Sequence, residues 1–124
     1  MTLARLRTGR IGEERASELL SAEGCEIVAR NARTRAGEID IVAVDRSTLV
    51  FAEVKTMRTG ARSGPERPVL AVGPRKQIQV RRLARAWLAE NRPPRYGSIR
   101  FDVIGVSLDP AGSAVAIEHI RNAF

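Results

Sequence analysis

Apolar residues recur at helical spacing over Gly9–Glu23, where Gly12, Ala16, Leu19 and Leu20 fall on one face and Gly24 supplies a stop. A short strand is expected at about Glu26–Ala29, followed by a basic, polar loop over Arg30–Gly37. Glu38–Val44 and Leu49–Lys55 read as strands, and the turn-like Asp45-Arg46-Ser47-Thr48 between them is short enough to require an antiparallel hairpin. Met57–Pro74, rich in Gly, Pro, Ser and Arg, is the longest irregular stretch and the natural place for a substrate-facing loop. Pro74–Glu90 predicts a second helix with Val80, Leu83, Ala84, Trp87 and Leu88 on one face. After a loop at Asn91–Ser98, strands at Ile99–Val106 and Val115–Ile120 flank the turn Asp109-Pro110-Ala111-Gly112. The predicted architecture is a mixed central β-sheet with flanking helices in the order α-β-β-β-α-β-β, one domain over residues 1–124.

Alternation along the strands locates the chemistry. In Leu49–Lys55 both faces are apolar over most of their length, so the strand is covered on both sides. Glu53 and Lys55 then sit at one end of a covered face. In Glu38–Val44, alternation places Glu38, Asp40, Val42 and Val44 on one side and Ile39, Ile41 and Ala43 on the other. Asp40 is thus a carboxylate among valines, and a buried carboxylate demands a counter-charge, hydrogen bonds or a metal. The hairpin draws Asp40, Glu53 and Lys55 together. A buried salt bridge would balance one acid against Lys55 and leave the other unpaired, whereas a hard cation such as Mg²⁺ takes carboxylate oxygens, water and substrate phosphate together. On the first helix Glu13 lies beside the Ala16/Leu20 edge, while Glu14 and Glu18 point to solvent. Glu13 therefore reads either as a third acid reaching the sheet or as a solvated acid at a helix N-terminus. Lys76 is in phase with Val80, Leu83, Ala84 and Trp87, placed to reach a phosphate or carboxylate at the sheet end or to snorkel at the rim.

Charge adds a partner class. Twenty-one basic residues against 14 acidic ones give a net charge of +7 over 124 residues, which favours an anionic partner, nucleic acid before membrane. Nineteen of the basic residues are arginine, and Lys55 and Lys76 are the two lysines. Arg30, Arg33 and Arg35 surround one loop, Arg58, Arg62 and Arg67 another, and Arg75, Arg81, Arg82 and Arg85 lie along the second helix. That scatter suits phosphate contacts and not a membrane-anchoring helix. The lone Cys25 reads as a small buried hydrophobe. No secretory h-region or membrane-spanning run is present, so a cytoplasmic location is expected. The single histidine, His119, excludes a His-rich zinc site. Phe51, Trp87 and Phe101 fall on apolar faces, so recognition of a DNA backbone or shape is expected in place of base stacking. Asp102 shares a strand face with Arg100 and reads as half of a structural ion pair, or as an auxiliary acid.

Gly9…Gly12-Glu13…Ala16, Gly37-Glu38-Ile39-Asp40, Val50-Phe51-Ala52-Glu53-Val54-Lys55, Ala71-Val72…Lys76 and Arg100-Phe101-Asp102-Val103 together resemble the YraN family of bacterial proteins. The resemblance runs from about Gly9 to Asp102. It implies a restriction-endonuclease-like fold within the PD-(D/E)XK nuclease superfamily, near the archaeal Holliday-junction resolvases. By that similarity Asp40 and Glu53 match the metal-binding acids, Lys55 the motif lysine, and Glu13 the helix glutamate of resolvase-like members. One departure bears on a phosphate contact: family members often carry a basic residue two positions after the motif lysine, where this chain has Met57 and then Arg58.

The resulting expectation is a Mg²⁺- or Mn²⁺-dependent endonuclease acting on duplex or branched DNA during repair or recombination. Its catalytic residues would be Asp40, Glu53, Lys55 and Glu13, with the metal on Asp40 and Glu53. Lys76, Arg33, Arg35, Arg58, Arg81, Arg82 and Arg85 would contact nucleic acid. The alternative is a non-catalytic DNA- or RNA-binding module on the same scaffold. A junction-cutting role would need two sites and hence a homodimer.

Overall fold

A computed structural model describes residues 3–59 and 68–124. The elements are α1 (Leu3–Ala22), β1 (Glu26–Thr34), β2 (Gly37–Asp45), β3 (Thr48–Arg58), α2 (Pro74–Glu90), β4 (Ser98–Leu108) and β5 (Ala114–Ile120), with a 3-10 turn at Pro68–Ala71 before α2. The strands form one mixed sheet in the order β1-β2-β3-β4-β5. β3 and β4 are parallel, as the crossover through α2 permits, and the other neighbours are antiparallel. Among the described residues no helix is long and apolar enough to cross a membrane.

β3 is covered on both faces. Val50, Ala52 and Val54 pack with Ala16 and Leu20 of α1, with Cys25 and with Ile104, Val106 and Leu108 of β4. Leu49 and Phe51 face the other way and pack with Leu83, Ala84 and Trp87 of α2. α1 lies close against the sheet because Gly12 has no side chain: a Cβ there would fall 1.8 Å from the Thr56 hydroxyl oxygen. That close approach carries the next residue, Glu13, toward the sheet.

Four local expectations are corrected. The segment after Glu26 is not a short strand and a loop, because β1 pairs with β2 as far as Thr34 opposite Gly37. The turn that closes this hairpin is fixed by the Thr34 hydroxyl, which donates to the Gly37 carbonyl and accepts from the Ala36 amide, and Gly37 supplies a positive φ of 137°. Arg33 is therefore a residue of an edge strand, where charge also discourages pairing with a further chain. β3 runs on to Arg58, so the irregular stretch begins later than Met57. Arg62 and Arg67 lie outside the described residues. α1 begins at Leu3, six residues before the expected start.

The fourth correction concerns alternation in β2. Ile41 and Ala43 face α1, as period two requires, yet Ile39 joins Val42 and Val44 on the α2 side. The strand thus reverses its facing between Ile39 and Ile41. Asn31, which the register sets opposite Asp40, takes φ 50° there. The β1–β2 hairpin curls over α2 from this point, and the Arg35 amide reaches the Glu90 carboxylate at 3.3 Å.

On β4, opposite Ala52 of β3, Asp102 is fully buried and fully answered. It accepts Arg100 Nε at 2.8 Å and a second Arg100 nitrogen at 3.0 Å, His119 Nε2 at 2.7 Å and the Asn122 amide at 3.0 Å. Burial alone would raise its pKa, but the bonds from His119, Arg100 and the Asn122 amide hold it below the usual carboxylate range. His119 Nδ1 meets Glu23 at 3.1 Å, so a carboxylate faces each ring nitrogen, which favours the imidazolium form. The Asp102 bond raises the His119 pKa, burial opposes it, and Glu23 adds to the rise.

A histidine whose folded pKa exceeds its unfolded value of about 6.5 contributes stability that is whole below that pH and lost as pH rises through the folded value. In denaturant unfolding between about pH 6 and 9, the wild type is expected to lose stability relative to His119→Gln as pH rises. Parallel curves for the two proteins would show that the imidazolium is not held in this way.

Candidate functional site

The reversal in β2 creates the site. Ladder pairing between β2 and β3 stops at Ile41–Ala52, and the amide of Val54, left without a β2 carbonyl, donates to Asp40 Oδ2 at 2.8 Å. The side chain of Asp40 thus replaces a backbone partner and holds its carboxyl against β3. Glu53, one residue before Val54, is 5% exposed and makes a hydrogen bond with the Asp40 carboxyl. Two acids therefore touch at the mouth where β2 parts from β3.

The cations come from two elements. Lys76 reaches in from the first turn of α2 and places Nζ 3.1 Å from Glu53 Oε1. Lys55, two residues along β3 and on the same face, stands 4.0 Å from the same oxygen with a third of its side chain exposed. Both lysines thus face one of the two carboxylate oxygens of Glu53, Oε1. Among the described residues, the lysine ion pairs at this site go to Glu53 and not to Asp40.

Asp40 carries the electrostatic consequence. Burial, the charge of Glu53 and a further contribution from Glu13 raise its pKa to about 7, while the Val54 amide pulls the other way. Glu13 is half-buried, and burial raises its pKa too, against a hydrogen bond with Asn31 and with added repulsion from Glu38 and Glu53. Glu13, Glu38, Asp40 and Glu53 thus form one electrostatic neighbourhood. Among the described residues, no three acids converge as a closed ligand set. Two touching carboxyls with Glu13 nearby is the donor arrangement of an oxygen-ligated cation that keeps waters, the habit of Mg²⁺.

The structure brings together Asp40, Glu53, Lys55 and Lys76, with Glu13 at the margin. Arg33 and Arg35 lie at the tip of the β1–β2 hairpin, and Arg82 and Arg85 are exposed on α2. Arg81 lies over two aromatic rings. Arg58 is placed differently from its expected position in a substrate-facing loop. As the last residue of β3 it donates to the Thr8 hydroxyl at 3.1 Å and the Pro110 carbonyl at 3.0 Å, tying α1 and the β4–β5 turn to the sheet. Asn31 was not legible as a site residue, although its partner Asp40 was. The available signal was register: once the strand is extended to Thr34, Asn31 falls opposite Asp40, and asparagine is among the residues that tolerate a positive φ.

Fold and site define a mixed α/β protein whose central strand presents a Glu-x-Lys pair to an aspartate on the neighbouring strand. A family model described as "Uncharacterised protein family UPF0102" matches residues 12–106. The chain belongs to this family, the one its sequence resembles under the name YraN. It is 54% identical over 121 residues to the UPF0102 protein of Parafrankia sp., covering 95% of this chain and 96% of that protein. It is 48% identical over 118 residues to the UPF0102 protein of Streptomyces griseus, covering 95% and 96%. A relative from Syntrophus aciditrophicus is 44% identical over 119 residues, covering 96% and 89%. Among solved structures the chain is similar to SfsA of Pyrococcus furiosus in complex with Ca²⁺, at a TM-score of 0.35 and 17% identity, covering 94% of this chain and 62% of that one. A likeness that loose carries no argument.

A carboxyl with a folded pKa of about 7, against an ordinary 3.8, costs stability as pH rises from about 4 and costs most above 7. Asn at position 40 keeps an acceptor for the Val54 amide and removes the repulsion. Asp40→Asn is therefore expected to be more stable than wild type at pH 8, by on the order of a few kcal/mol, with the gap closing toward pH 4. Equal stability of the two proteins at pH 8 in urea unfolding would contradict the crowded-acid account.

Proposed function

We propose that this protein is a divalent-metal-dependent endonuclease that hydrolyses DNA phosphodiester bonds on a restriction-endonuclease-like scaffold. The observation that carries the reading is the contact of Asp40 with Glu53 at the parting of β2 and β3, with Lys55 and Lys76 converging on the Glu53 side. The element order and the parallel β3–β4 pair support the scaffold. The net charge of +7 supports the polyanionic substrate.

The donor set fits a hard cation, since Asp40 and Glu53 offer only carboxylate oxygens. Those two residues would hold Mg²⁺ or Mn²⁺, which when bound polarises a phosphate oxygen and acidifies a water. Asp40 is fixed through the Val54 amide and so presents its free oxygen in a set direction. Lys76 holds Glu53 from α2. Lys55 stands farther from Glu53 than Lys76 does, and its Nζ is free to move from Glu53 onto a phosphate or an attacking water, where it stabilises developing negative charge. Glu13 lies close enough to feel Glu53 and to orient a proton-bearing group at the site's edge. Arg82 and Arg85 along α2, with Arg33 and Arg35 at the hairpin tip, would neutralise flanking phosphates and make affinity fall with salt. Arg58 is committed to Thr8 and Pro110 and is assigned no phosphate.

A second reading has one observation in its favour. Lys76 already pairs with Glu53, as it would in a structural network on a non-catalytic nucleic-acid-binding module. One assay separates the two. The protein is incubated with Mg²⁺ or Mn²⁺ and a panel of duplex, flap, single-stranded and four-way-junction DNA, beside Asp40→Ala and Lys55→Ala. Cleavage is expected in the wild type, with each substitution lowering the rate by about 10²-fold or more. Cleavage unaffected by either change would overturn the assigned site, and binding without cleavage on every substrate would favour the module.

A further inference from the structure

Away from the acids, a groove of about 460 Å³ opens between α2 and the segment that follows β5, with Arg81, Arg85, Ile99, Phe101, Asn122 and Phe124 among its lining. Its wall is the end of an aromatic series. Trp87 meets Phe51 edge-on at 5.9 Å in the core, Phe51 stacks on Phe101 at 5.8 Å, and Phe101 stacks on Phe124 at 5.3 Å with 16° between planes. Phe51 is fully buried, whereas Phe101 and Phe124 are partly exposed, so the series runs from the interior to the groove. The outer ring is held by the buried Asp102 cluster. The Asn122 amide donates to Asp102 at 3.0 Å and the Ala123 amide to the Phe101 carbonyl at 2.7 Å, which fixes the backbone leading to Phe124.

Two arginines line the groove. Arg81 places its guanidinium 4.9 Å from the Phe101 ring centre and 5.5 Å from that of Phe124. Arg85 lines the same wall, and among the described residues neither arginine pairs with a carboxylate. The groove therefore offers aromatic and guanidinium planes, both stacking partners for a nucleobase. Asn122 adds a side-chain amide of the kind that bonds base edges.

Register sets its distance from the acids. Glu53 lies opposite Val103 in the parallel β3–β4 pair, and Phe101 is two residues earlier on the same face of β4. Strand geometry puts the backbone of Phe101 roughly 8 Å from that of Glu53. A base in the groove would thus belong to a nucleotide close to a phosphate at Asp40 and Glu53.

We propose that this groove binds one unpaired nucleobase of a nucleic-acid strand, stacked against Phe101, Phe124 and Arg81, and so selects DNA with an unpaired nucleotide beside a duplex. The inference rests on the nucleic-acid reading of the acid site and narrows its substrate. It differs from the expectation of backbone or shape recognition, which rested on Phe51, Trp87 and Phe101 lying on apolar faces and took no account of Phe124.

The test compares metal-free binding, by fluorescence anisotropy, to a duplex carrying a three-nucleotide flap and to the same duplex with an abasic flap. The wild type is expected to prefer the flap with bases by about tenfold. Phe124→Leu keeps apolar cover over Val103 without the ring, and Arg81→Lys keeps the charge without the plane. Each is expected to bring the ratio toward one. Equal affinity of the wild type for both flaps, or a preference that survives both substitutions, overturns the inference. Cleavage by the wild type without base preference would remove the groove and leave the nuclease reading standing. Base preference without cleavage of any substrate would do the reverse.

Discussion

A carboxylate withdrawn from water must be answered by hydrogen bonds, a counter-charge or a cation, and this sheet answers two of its aspartates in opposite ways. Asp102 receives an arginine fork, an imidazolium and a backbone amide, and its pKa falls. Asp40 receives one backbone amide and a second acid, and its pKa rises. The first arrangement is complete and binds the chain to itself. The second is unfinished within the protein, a carboxyl held against another carboxyl with its nearest cations on Glu53.

Both arrangements depend on the same sheet geometry. β3 is buried on both faces, so a polar side chain on it or beside it can reach water only at the strand's end. β2 leaves β3 at that end, and the reversal at Asp40 and Asn31 turns what would be a ladder bond into a side-chain bond. Close packing of α1 at Gly12 then brings Glu13 toward the gap, while the first turn of α2 supplies Lys76. The site is thus assembled from four elements, each placed by packing.

The order of elements, the apolar stripes of α1 and α2 and the doubly covered β3 were legible because each depends on local periodicity. The pairing of Asp40 with Glu53 was approached from the right residues for an incomplete reason, since alternation alone would have put Asp40 among valines on a regular strand. What alternation misses is the positive φ of Asn31, a property of the partner strand. The length of β1 was hidden by its arginines, which read as a loop and in fact line an edge. Arg58 read as a phosphate contact because its partners, Thr8 and Pro110, lie about 50 residues away in either direction. His119 and Phe124 were passed over for the same reason: their roles come from β4, Glu23 and α2, which only the folded chain brings to them.

The central claim is that Asp40 and Glu53 form a cation site, and binding of Mn²⁺ to the intact protein near pH 7.5 tests it most directly. Titration followed by the loss of the free-ion resonance signal should show saturable binding in the wild type. Asp40→Asn and Glu53→Gln should each weaken that binding by about tenfold or more. No saturable binding by the wild type, or binding unchanged in both variants, would contradict the account.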